Sequence, residues 1–353
     1  MKCEWLENDP IKRLQYEKSG TNIGDRKESK MQTKCKCSFV IPLRIQSDNT
    51  SRFGYFKQSI ESLLKQTDPD WTAVLVDDDS NNEELDDYIQ GIMEKCPGHI
   101  ILHKNPENVG AGIARNIGVD IAAREFNADV IMFQDSDDLS HPERTEKVSR
   151  AFATKNIDVL YAPFIPIDEN GNPIPEDRFP YNIRNIMNNN KQPSVGKEVW
   201  KSIVSKEMYI NLTSTTNVRT ILAQKIPFPN MRSSEDSITW MLYSASGGVF
   251  DFIKEIPSRY RIPQIVKNNS LSTEFGKEIF FSDFAEAHIK AYEECLKYAR
   301  TRQVISEEEI QILTEQVFYN LANELKGGGM YDLAEKYLRK KEEFVKRVVI
   351  CKV

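Results

Sequence analysis

Two acidic runs in this chain each follow a short apolar stretch. Residues 77–79 are Asp-Asp-Asp after the apolar residues 72–76, and residues 135–138 are Asp-Ser-Asp-Asp soon after the apolar residues 130–133. Carboxylates gathered in one place repel one another, by about 1 kcal/mol per close pair even with strong solvent screening. A divalent cation removes that conflict, and Mg²⁺ and Mn²⁺ prefer hard oxygen ligands. The second run therefore predicts a metal site that would neutralise a diphosphate, with ligands Asp135, Asp137 and Asp138.

Both runs also have an ordinary structural explanation. Asp and Ser are good N-cap residues, so residues 136–138 and residues 77–80 could each do no more than start a helix. The functional interpretation of residues 77–79 is that a carboxylate accepts a hydrogen bond from the imide N–H of uracil or from a ribose hydroxyl. Both interpretations stay open on the residues alone.

Two further stretches carry residues suited to ligand binding or proton transfer. Residues 108–116 (NVGAGIARN) contain small residues that let the backbone approach a ligand, with Arg115 one helical turn further on. Ser234, Glu235 and Asp236 precede an amphipathic run, which the helix dipole explains by itself. The alternative is a general base, because a carboxylate can take the proton of an attacking hydroxyl.

The elements that must position these residues alternate between short apolar runs and amphipathic segments. This pattern predicts an α/β fold with a mostly parallel sheet flanked by helices. In such sheets ligands bind beyond the carboxyl ends of the strands, so both acidic runs should lie on one rim. The predicted strands are 38–42, 72–76, 100–102, 130–133 and 158–162, and the predicted helices are 55–65, 83–95, 108–124 and 142–153.

The domain organisation follows from shifts in composition. Residues 1–34 are polar and form an N-terminal extension, residues 35–265 form the α/β domain, and residues 266–353 form a helical C-terminal region. Within the domain, residues 35–140 are the half that would bind a nucleotide, and residues 141–265 the half that would bind an acceptor. Residues 163–195 are too long for an ordinary connection and predict a lid or an acceptor loop.

Composition excludes several functional classes. The 353 residues carry a formal charge of −6, which offers no general field for nucleic acid. No stretch reaches the roughly 18 to 20 continuous apolar residues of a membrane span, so we expect a cytoplasmic protein. The basic stretch 338–347 has two explanations: contact with the inner membrane face or a second copy of the chain, and a solvated helix face.

Six motifs in order resemble the GT-A glycosyltransferases grouped as family 2, which are inverting enzymes that use nucleotide-sugars. They are residues 39–42 (FVIP), 59–67 (SIESLLKQT), 76–80 (VDDDS), 108–110 with 114–116 (NVG and ARN), 134–139 (QDSDDL) and 234–236 (SED).

The resemblance implies a role for each matching residue. Asp135 and Asp137 would be the D-x-D pair that contacts ribose and metal, with Asp138 also near the donor. Asp236 would be the catalytic base, and Glu235 would orient hydroxyls of the donor or the acceptor. The remaining donor-binding residues would be Pro42, Asp77, Asp78, Asn108, Gly110, Arg115 and Ser136.

The resemblance also implies the reaction. A sugar would pass from a nucleoside diphosphate, most often UDP, to a hydroxyl of a glycan or lipid-linked cell-envelope acceptor, with Mn²⁺ or Mg²⁺ bound. One alternative is a catalytically silent module of the same fold that binds a nucleotide-sugar or a glycan. A sugar-phosphate nucleotidyltransferase would need a loop rich in glycine and lysine after the first strand, and residues 43–47 (LRIQS) do not supply one.

The chain departs from the family pattern at two places. Asp79 stands where relatives have glycine, and the turn then requires Asp79 in the left-handed conformation, which Asp tolerates better than most residues. The histidine of the late Tyr-Arg-x-His motif is absent, so Arg259 or Arg261 would neutralise phosphate instead. Residues 269–272 (NSLS) continue the family pattern.

Overall fold

The computed structural model describes residues 34–205, 209–231, 234–264 and 277–350. Residues 1–33 of the predicted N-terminal extension and the 269–272 motif lie outside this set.

Strands and helices alternate from the first described strand onward, as the sequence predicts. The strands are β1 (Cys37–Leu43), β2 (Trp71–Asp77), β3 (Ile100–Lys104), β4 (Val130–Phe133), β5 (Val159–Tyr161), β6 (Phe164–Ile167), β7 (Thr216–Arg219), β8 (Phe250–Phe252) and β9 (Ser258–Arg261). The helices are α1 (Thr50–Leu64), α2 (Glu83–Lys95), α3 (Ala111–Phe126), α4 (Arg144–Thr154), α5 (Tyr181–Asn189), α6 (Val199–Ser205), α7 (Thr220–Lys225), α8 (Glu235–Ala245), α9 (Lys277–Thr301), α10 (Glu307–Gly327) and α11 (Tyr331–Val345).

The main sheet has seven strands in the order β3-β2-β1-β4-β7-β5-β8. Strands β3, β2, β1 and β4 run parallel, and β7 is antiparallel to both β4 and β5. Leu43 lies opposite Asp77, and Val40 lies opposite Phe133, so β2 and β4 end on the same rim of the sheet. The predicted fold class is confirmed, and both acidic runs follow strands that end on this rim.

Helix α3 packs very closely on the sheet at Gly118. A methyl group built on Gly118 would lie 2.5 Å from Cγ1 of Val40 in β1 and 3.3 Å from Cγ2 of Val76 in β2. Because protein interiors are close-packed, a larger residue there would push the helix off the sheet. This close packing fixes the height of α3, and therefore of the residues at its N-terminus, relative to the strand ends.

The long connection predicted at residues 163–195 contains regular structure. Strand β6 pairs in parallel with β9 to form a separate two-stranded sheet, and α5 follows further along. The stretch is therefore not one long loop. Pro, Asn and charged residues hid two short elements whose apolar residues number too few to show a clear period.

The chain forms two compact units. Within the described residues, the first takes 34–174, 211–235 and 251–262, and the second takes 175–210, 236–250 and 263–350. The first contains most of the main sheet and both acidic runs. The domain boundaries predicted from composition stay predictions.

The second unit is helical and has its own aromatic core. Tyr292 of α9 stacks on Phe344 of α11 with ring centres 5.7 Å apart, and Phe318 of α10 meets Phe344 edge-on. In the basic stretch 338–347, Lys341 pairs with Glu315 and Arg347 pairs with Glu293. Part of that stretch is thus bound to acids of its own unit. Among the residues that the structure describes, no helix is both long enough and apolar enough to cross a bilayer.

Candidate active site

The Asp78 carboxylate organises the loop between β3 and α3. Its Oδ1 accepts hydrogen bonds from Nδ2 of Asn105 (2.8 Å) and from the backbone N–H of Val109 (2.9 Å). Its Oδ2 accepts from Nδ2 of Asn108 (3.0 Å) and from the backbone N–H of Gly110 (2.9 Å). Two bonds to each oxygen use the acceptor capacity of a carboxylate. Asp78, Asn108 and Gly110, all predicted to bind the donor, are therefore brought together chiefly by contacts with one another.

Asp77 is buried beside Asp78 but has fewer partners. Its Oδ1 accepts from the backbone N–H of Ser80 at 3.0 Å. Its Oδ2 has no hydrogen-bond partner within the described residues, and Nζ of Lys104 lies 3.8 Å away. Burial raises the pKa of Asp77, with the hydrogen bonds from Ser80 and the charge of Lys104 acting against it. An unpartnered buried acceptor on the ligand rim calls for a donor group, from water or from a ligand.

Three other residues shape this edge of the site. Asp79 has φ 70°, so the left-handed conformation expected at the glycine position is confirmed. Gly110 has φ 86° at the N-terminus of α3, a conformation that residues with a side chain rarely adopt, and its Cβ position opens onto free space. Pro42 is buried within β1, opposite Val76.

The second acidic run is a turn held mainly through its backbone. The backbone N–H of Asp135 donates to Oγ of Ser214 at 2.9 Å, and the N–H of Asp138 donates to the carbonyl of Asp135 at 3.2 Å. Oδ1 of Asp138 accepts from the backbone N–H of Arg261 in β9 at 2.8 Å. Asp138 is completely buried, whereas Asp135, Ser136 and Asp137 keep part of their surface in solvent. Asp138 thus joins the turn to β9, while the other three residues face outward.

Charge is concentrated in this turn. The surrounding protein and the neighbouring Asp135 carboxylate raise the pKa of Asp137 to about 6, although Asp137 keeps some solvent contact. Burial, Asp137 and Asp135 together raise the pKa of Asp138 well above its ordinary range. Both shifts express the same fact: the fold places carboxylates where their ionised forms are poorly compensated.

The turn suits a hard divalent cation that takes few ligands from the protein. In the described part of the chain, no group of three or more His, Cys, Asp or Glu side chains is arranged to hold a metal. Mg²⁺ commonly needs one or two carboxylates and completes its shell with water and phosphate oxygens. The partly exposed Asp135 and Asp137 meet that requirement. Oδ1 of the buried Asp138 already bonds the backbone of β9, and its Oδ2 has no hydrogen-bond partner among the described residues.

Arg115 links the second acidic run to the 234–236 motif. Its guanidinium donates from one terminal nitrogen to Oδ1 of Asp135 at 2.7 Å and from the other to Oε1 of Glu235 at 2.8 Å. Arg115 is only 4% exposed. Burial disfavours the charge, but Asp135 and Glu235 outweigh it and raise the pKa of Arg115. Residues predicted from motifs 120 positions apart are therefore in direct contact.

The 234–236 motif begins a helix, as its ordinary structural explanation predicts. Helix α8 starts at Glu235, and Ser234 before it has φ 61°. Oδ1 of Asp236 accepts from the backbone N–H of the next residue, Ser237, at 2.7 Å. A residue with a side chain held at positive φ stores strain, which often occurs at functional sites.

Arg261 has a different setting from the one expected of a phosphate-binding residue. Its Nε donates to the carbonyl of Asp137 at 2.8 Å, and one terminal nitrogen donates to the carbonyls of Asp168 and Glu169. The other terminal nitrogen donates to Oε1 of Gln58 at 2.8 Å. The guanidinium thus fastens the acidic turn to β6, β9 and α1, whereas the Arg259 side chain is exposed.

Three residues that support the acidic runs received no role in the sequence analysis. Asn105 holds Asp78, Ser214 holds the backbone of Asp135, and Ser59 accepts from Nε2 of Gln134 at 2.7 Å. Asn105 follows β3 at the same rim, so the rule that located Asp77 and Asp135 would also have found it. Nothing in spacing or composition identifies Ser59 or Ser214 in these contacts.

Comparison with known proteins gives consistent similarities. Residues 48–209 match the family model described as "Glycosyl transferase family 2". The chain is 29% identical over 223 residues to the uncharacterized glycosyltransferase MJ1057 of Methanocaldococcus jannaschii, covering 62% of this chain and 69% of the relative. It is 23% identical over 219 residues to the putative teichuronic acid biosynthesis glycosyltransferase TuaG of Bacillus subtilis, covering 62% and 77%.

Solved structures show the same fold. The S. aureus TarS structure (residues 1–349) has a TM-score of 0.52 at 17% identity, covering 89% of this chain and 90% of TarS. A TarS complex with UDP-GlcNAc has a TM-score of 0.53 at 18% identity. A structure of GalNAc-T7 with UDP, GalNAc and Mn²⁺ has a TM-score of 0.50 at 13% identity, covering 82% and 58%. At these identities the likeness concerns the fold.

Proposed function

We propose that this chain is a family 2 glycosyltransferase that transfers a sugar from a UDP-sugar to a hydroxyl acceptor with inversion; its similarity to that family over residues 48–209 and to named glycosyltransferases supports the proposal. The observation that carries the proposal is the pair of contacts made by Arg115. A single buried guanidinium bonds Asp135 of the D-x-D motif and Glu235, which directly precedes the candidate base Asp236. The D-x-D motif and Glu235 are thus joined through one side chain.

The donor side of the proposal uses the two acidic runs differently. We assign the uracil imide N–H to Asp77, because its Oδ2 lacks a hydrogen-bond partner within the described residues, whereas Asp78 accepts four hydrogen bonds. Asp135 and Asp137 would hold Mn²⁺ or Mg²⁺, and Asp138 would brace the turn that carries them. A bound divalent ion would neutralise the charge that develops on the departing diphosphate.

The acceptor side of the proposal needs one proton acceptor. Asp236 would take the proton of the acceptor hydroxyl while the oxygen attacks the anomeric carbon, and the bond from that carbon to the diphosphate oxygen breaks on the opposite face. This direct displacement inverts the anomeric centre without a covalent intermediate. Glu235, fixed by Arg115, would orient a hydroxyl of donor or acceptor. A cell-envelope glycan or lipid-linked saccharide is the proposed acceptor class, since the similar TuaG is named for teichuronic acid biosynthesis.

A donor screen tests the proposal directly. Purified full-length chain is incubated with Mn²⁺ and a panel of nucleotide-sugars, and released nucleoside diphosphate is measured. UDP-GlcNAc is the first donor to try because a TarS complex contains it. We expect slow hydrolysis of one UDP-sugar even without acceptor. Tight UDP binding with no turnover of any donor would instead indicate the catalytically silent binding module.

Asp236→Asn is the decisive variant for the chemistry. It removes the proton acceptor but keeps the size and the hydrogen-bonding oxygen, so we expect transfer to fall by about 10²- to 10⁴-fold. The UDP dissociation constant should stay within about twofold, since Asp236 is not assigned to the donor. Asp332→Asn, at an exposed acid in the first turn of α11, is the matched control and should leave transfer unchanged. Full transfer activity in the Asp236 variant would remove this residue from the mechanism.

A further inference from the structure

One face of α3 contacts the connection between α7 and α8 and the first residue of α8. A methyl group built on Gly112 would lie 3.1 Å from the carbonyl oxygen of Pro229 and 3.2 Å from Cγ of Glu235. One turn further on, the Asn116 side chain makes two bonds to the backbone of Phe228. Its Nδ2 donates to the Phe228 carbonyl at 2.9 Å, and its Oδ1 accepts from the Phe228 N–H at 2.8 Å. Gly112 and Asn116 are one helical turn apart and lie against Phe228, Pro229 and Glu235.

Arg115 adds an ion pair to these α3 contacts. It lies between Gly112 and Asn116 in sequence, and the centre of its guanidinium is 5.3 Å from the ring of Phe228. Both terminal nitrogens bond carboxylates, and the side chain is 95% buried. A planar guanidinium with two fixed partners orients both of them, which an ammonium group cannot do to the same degree.

We propose that Arg115 and Asn116 are positioning residues that fix the start of α8, and with it Glu235, against the D-x-D turn. This differs from the role in nucleoside binding that the sequence suggested for Arg115. The proposal rests on the proposed function, because positioning has a catalytic consequence only if Glu235 and Asp236 act on the transferred sugar. The small residues of the 108–116 motif then have two uses: Gly110 builds the Asp78 loop, and Gly112 lets Glu235 approach α3.

The proposal predicts a split between binding and turnover. In Arg115→Met and Asn116→Ala, kcat with the UDP-sugar that the wild type uses should fall by about 10- to 100-fold. The UDP dissociation constant in Mn²⁺ should change by less than about threefold. Adding guanidinium ion to Arg115→Ala should restore part of kcat, because the ion can occupy the vacated space between the two carboxylates. Arg115→Lys should have a lower kcat than wild type, because a lysine ammonium group cannot bond both carboxylates in the same geometry.

Amide hydrogen exchange supplies a readout that does not depend on turnover. Peptides containing residues 234–237 should exchange faster in both Arg115→Met and Asn116→Ala than in wild type. Asp120→Asn is the control, since Asp120 lies on α3 at an exposed position and bonds Gln224 instead. If these variants weaken UDP binding as strongly as they lower kcat, Arg115 is a nucleoside ligand and the proposal is wrong. Unchanged exchange at 234–237 overturns it as well.

Failure of the proposed function would look different. If the wild-type chain turns over no nucleotide-sugar, the exchange measurement can still be made. Faster exchange at residues 234–237 in the variants would still show that Arg115 and Asn116 hold the first residue of α8. Turnover by wild type together with unchanged kcat in both variants would reject positioning while leaving the transferase activity in place.

Discussion

The two acidic runs look alike in sequence but have opposite electrostatic environments. Both consist of acids that follow a buried strand on the same rim of the sheet. Asp78 in the first run accepts four hydrogen bonds from Asn105, Asn108 and two backbone amides. In the second run, carboxylates crowd one another, and the pKa of Asp137 is raised to about 6 by burial and by Asp135.

The difference separates Asp78, which holds the loop before α3, from Asp137, which we propose as a metal ligand. Donors supplied by the fold stabilise Asp78 in the first run, so that this carboxylate needs no ligand to balance its charge. In the second run, Arg115 bonds Asp135 and the Arg261 N–H bonds Asp138, yet the pKa of Asp137 stays raised. A bound cation with a diphosphate would supply the missing compensation there. Binding sites typically contain groups that lower the stability of the ligand-free protein, next to groups that the fold stabilises.

The variant expected to change stability most is Asp78→Ala. The change leaves four hydrogen-bond donors around a small cavity, and the free energy of unfolding should fall by on the order of 4 kcal/mol, since each stranded buried group costs about 1 to 3 kcal/mol. Urea denaturation of the purified chain measures it. Asp79→Asn is the matched control, because Asn also tolerates positive φ, and it should change stability by less than about 0.5 kcal/mol. A loss no larger than the control's would mean that the first run is not held by Asp78.

The sequence predicted the fold well because strand and helix periods are strong signals in residues 37–161. Helix α2 and strand β4 have the predicted bounds, 83–95 and 130–133. Elements β6 and α5 were missed, because short segments with Pro and Asn show neither period clearly. The left-handed Asp79 was predicted correctly, since only a few residue types can replace glycine in such a turn.

Candidate residues were easier to predict than their contacts. The rule that ligands bind beyond strand ends placed Asp77 and Asp135 on one rim, and it depends only on topology. It does not distinguish Asp78, which serves the loop, from Asp137, which stays poorly compensated. That difference depends on donors such as the Asn105 side chain and the amides of residues 109 and 110. The link from Arg115 to Glu235 spans 120 residues, and no local pattern predicts such a contact.

Lowering the pH tests the same contrast at His288 in the second unit, a side chain that is buried in its neutral form. Nδ1 of His288 lies 2.8 Å from the carbonyl of Phe284, and burial lowers the pKa of His288 to about 4. The neutral ring therefore stabilises the native state fully above about pH 6.5. This contribution is lost as the pH falls towards 4, because the unfolded chain binds the proton more readily. Wild type should lose on the order of 2 kcal/mol relative to His288→Gln between pH 7 and pH 4.5.

The measurement is the difference between the two unfolding free energies across that pH range. Taking the difference cancels titrations that both chains share, including those of the acidic runs. If the unfolding free energies of wild type and His288→Gln change with pH in parallel, burial does not keep the His288 ring neutral. The contrast between His288 and Asp137 would then be lost.

Asp137→Asn should give the smallest change in the free energy of unfolding. The change should be opposite in sign to that of Asp78→Ala, which makes the contrast between the two runs direct. The raised pKa of Asp137 means that the folded chain disfavours this charge at neutral pH, so the metal-free variant should be more stable by about 1 kcal/mol. The same change should weaken Mn²⁺-dependent UDP binding by roughly 10-fold, which isothermal titration with and without Mn²⁺ measures. Asp129→Asn, at the opposite end of β4, is the control and should alter neither quantity. If Asp137→Asn instead destabilises the metal-free chain, the second run is compensated by the fold just as the first is, and the reason for placing a cation there is lost.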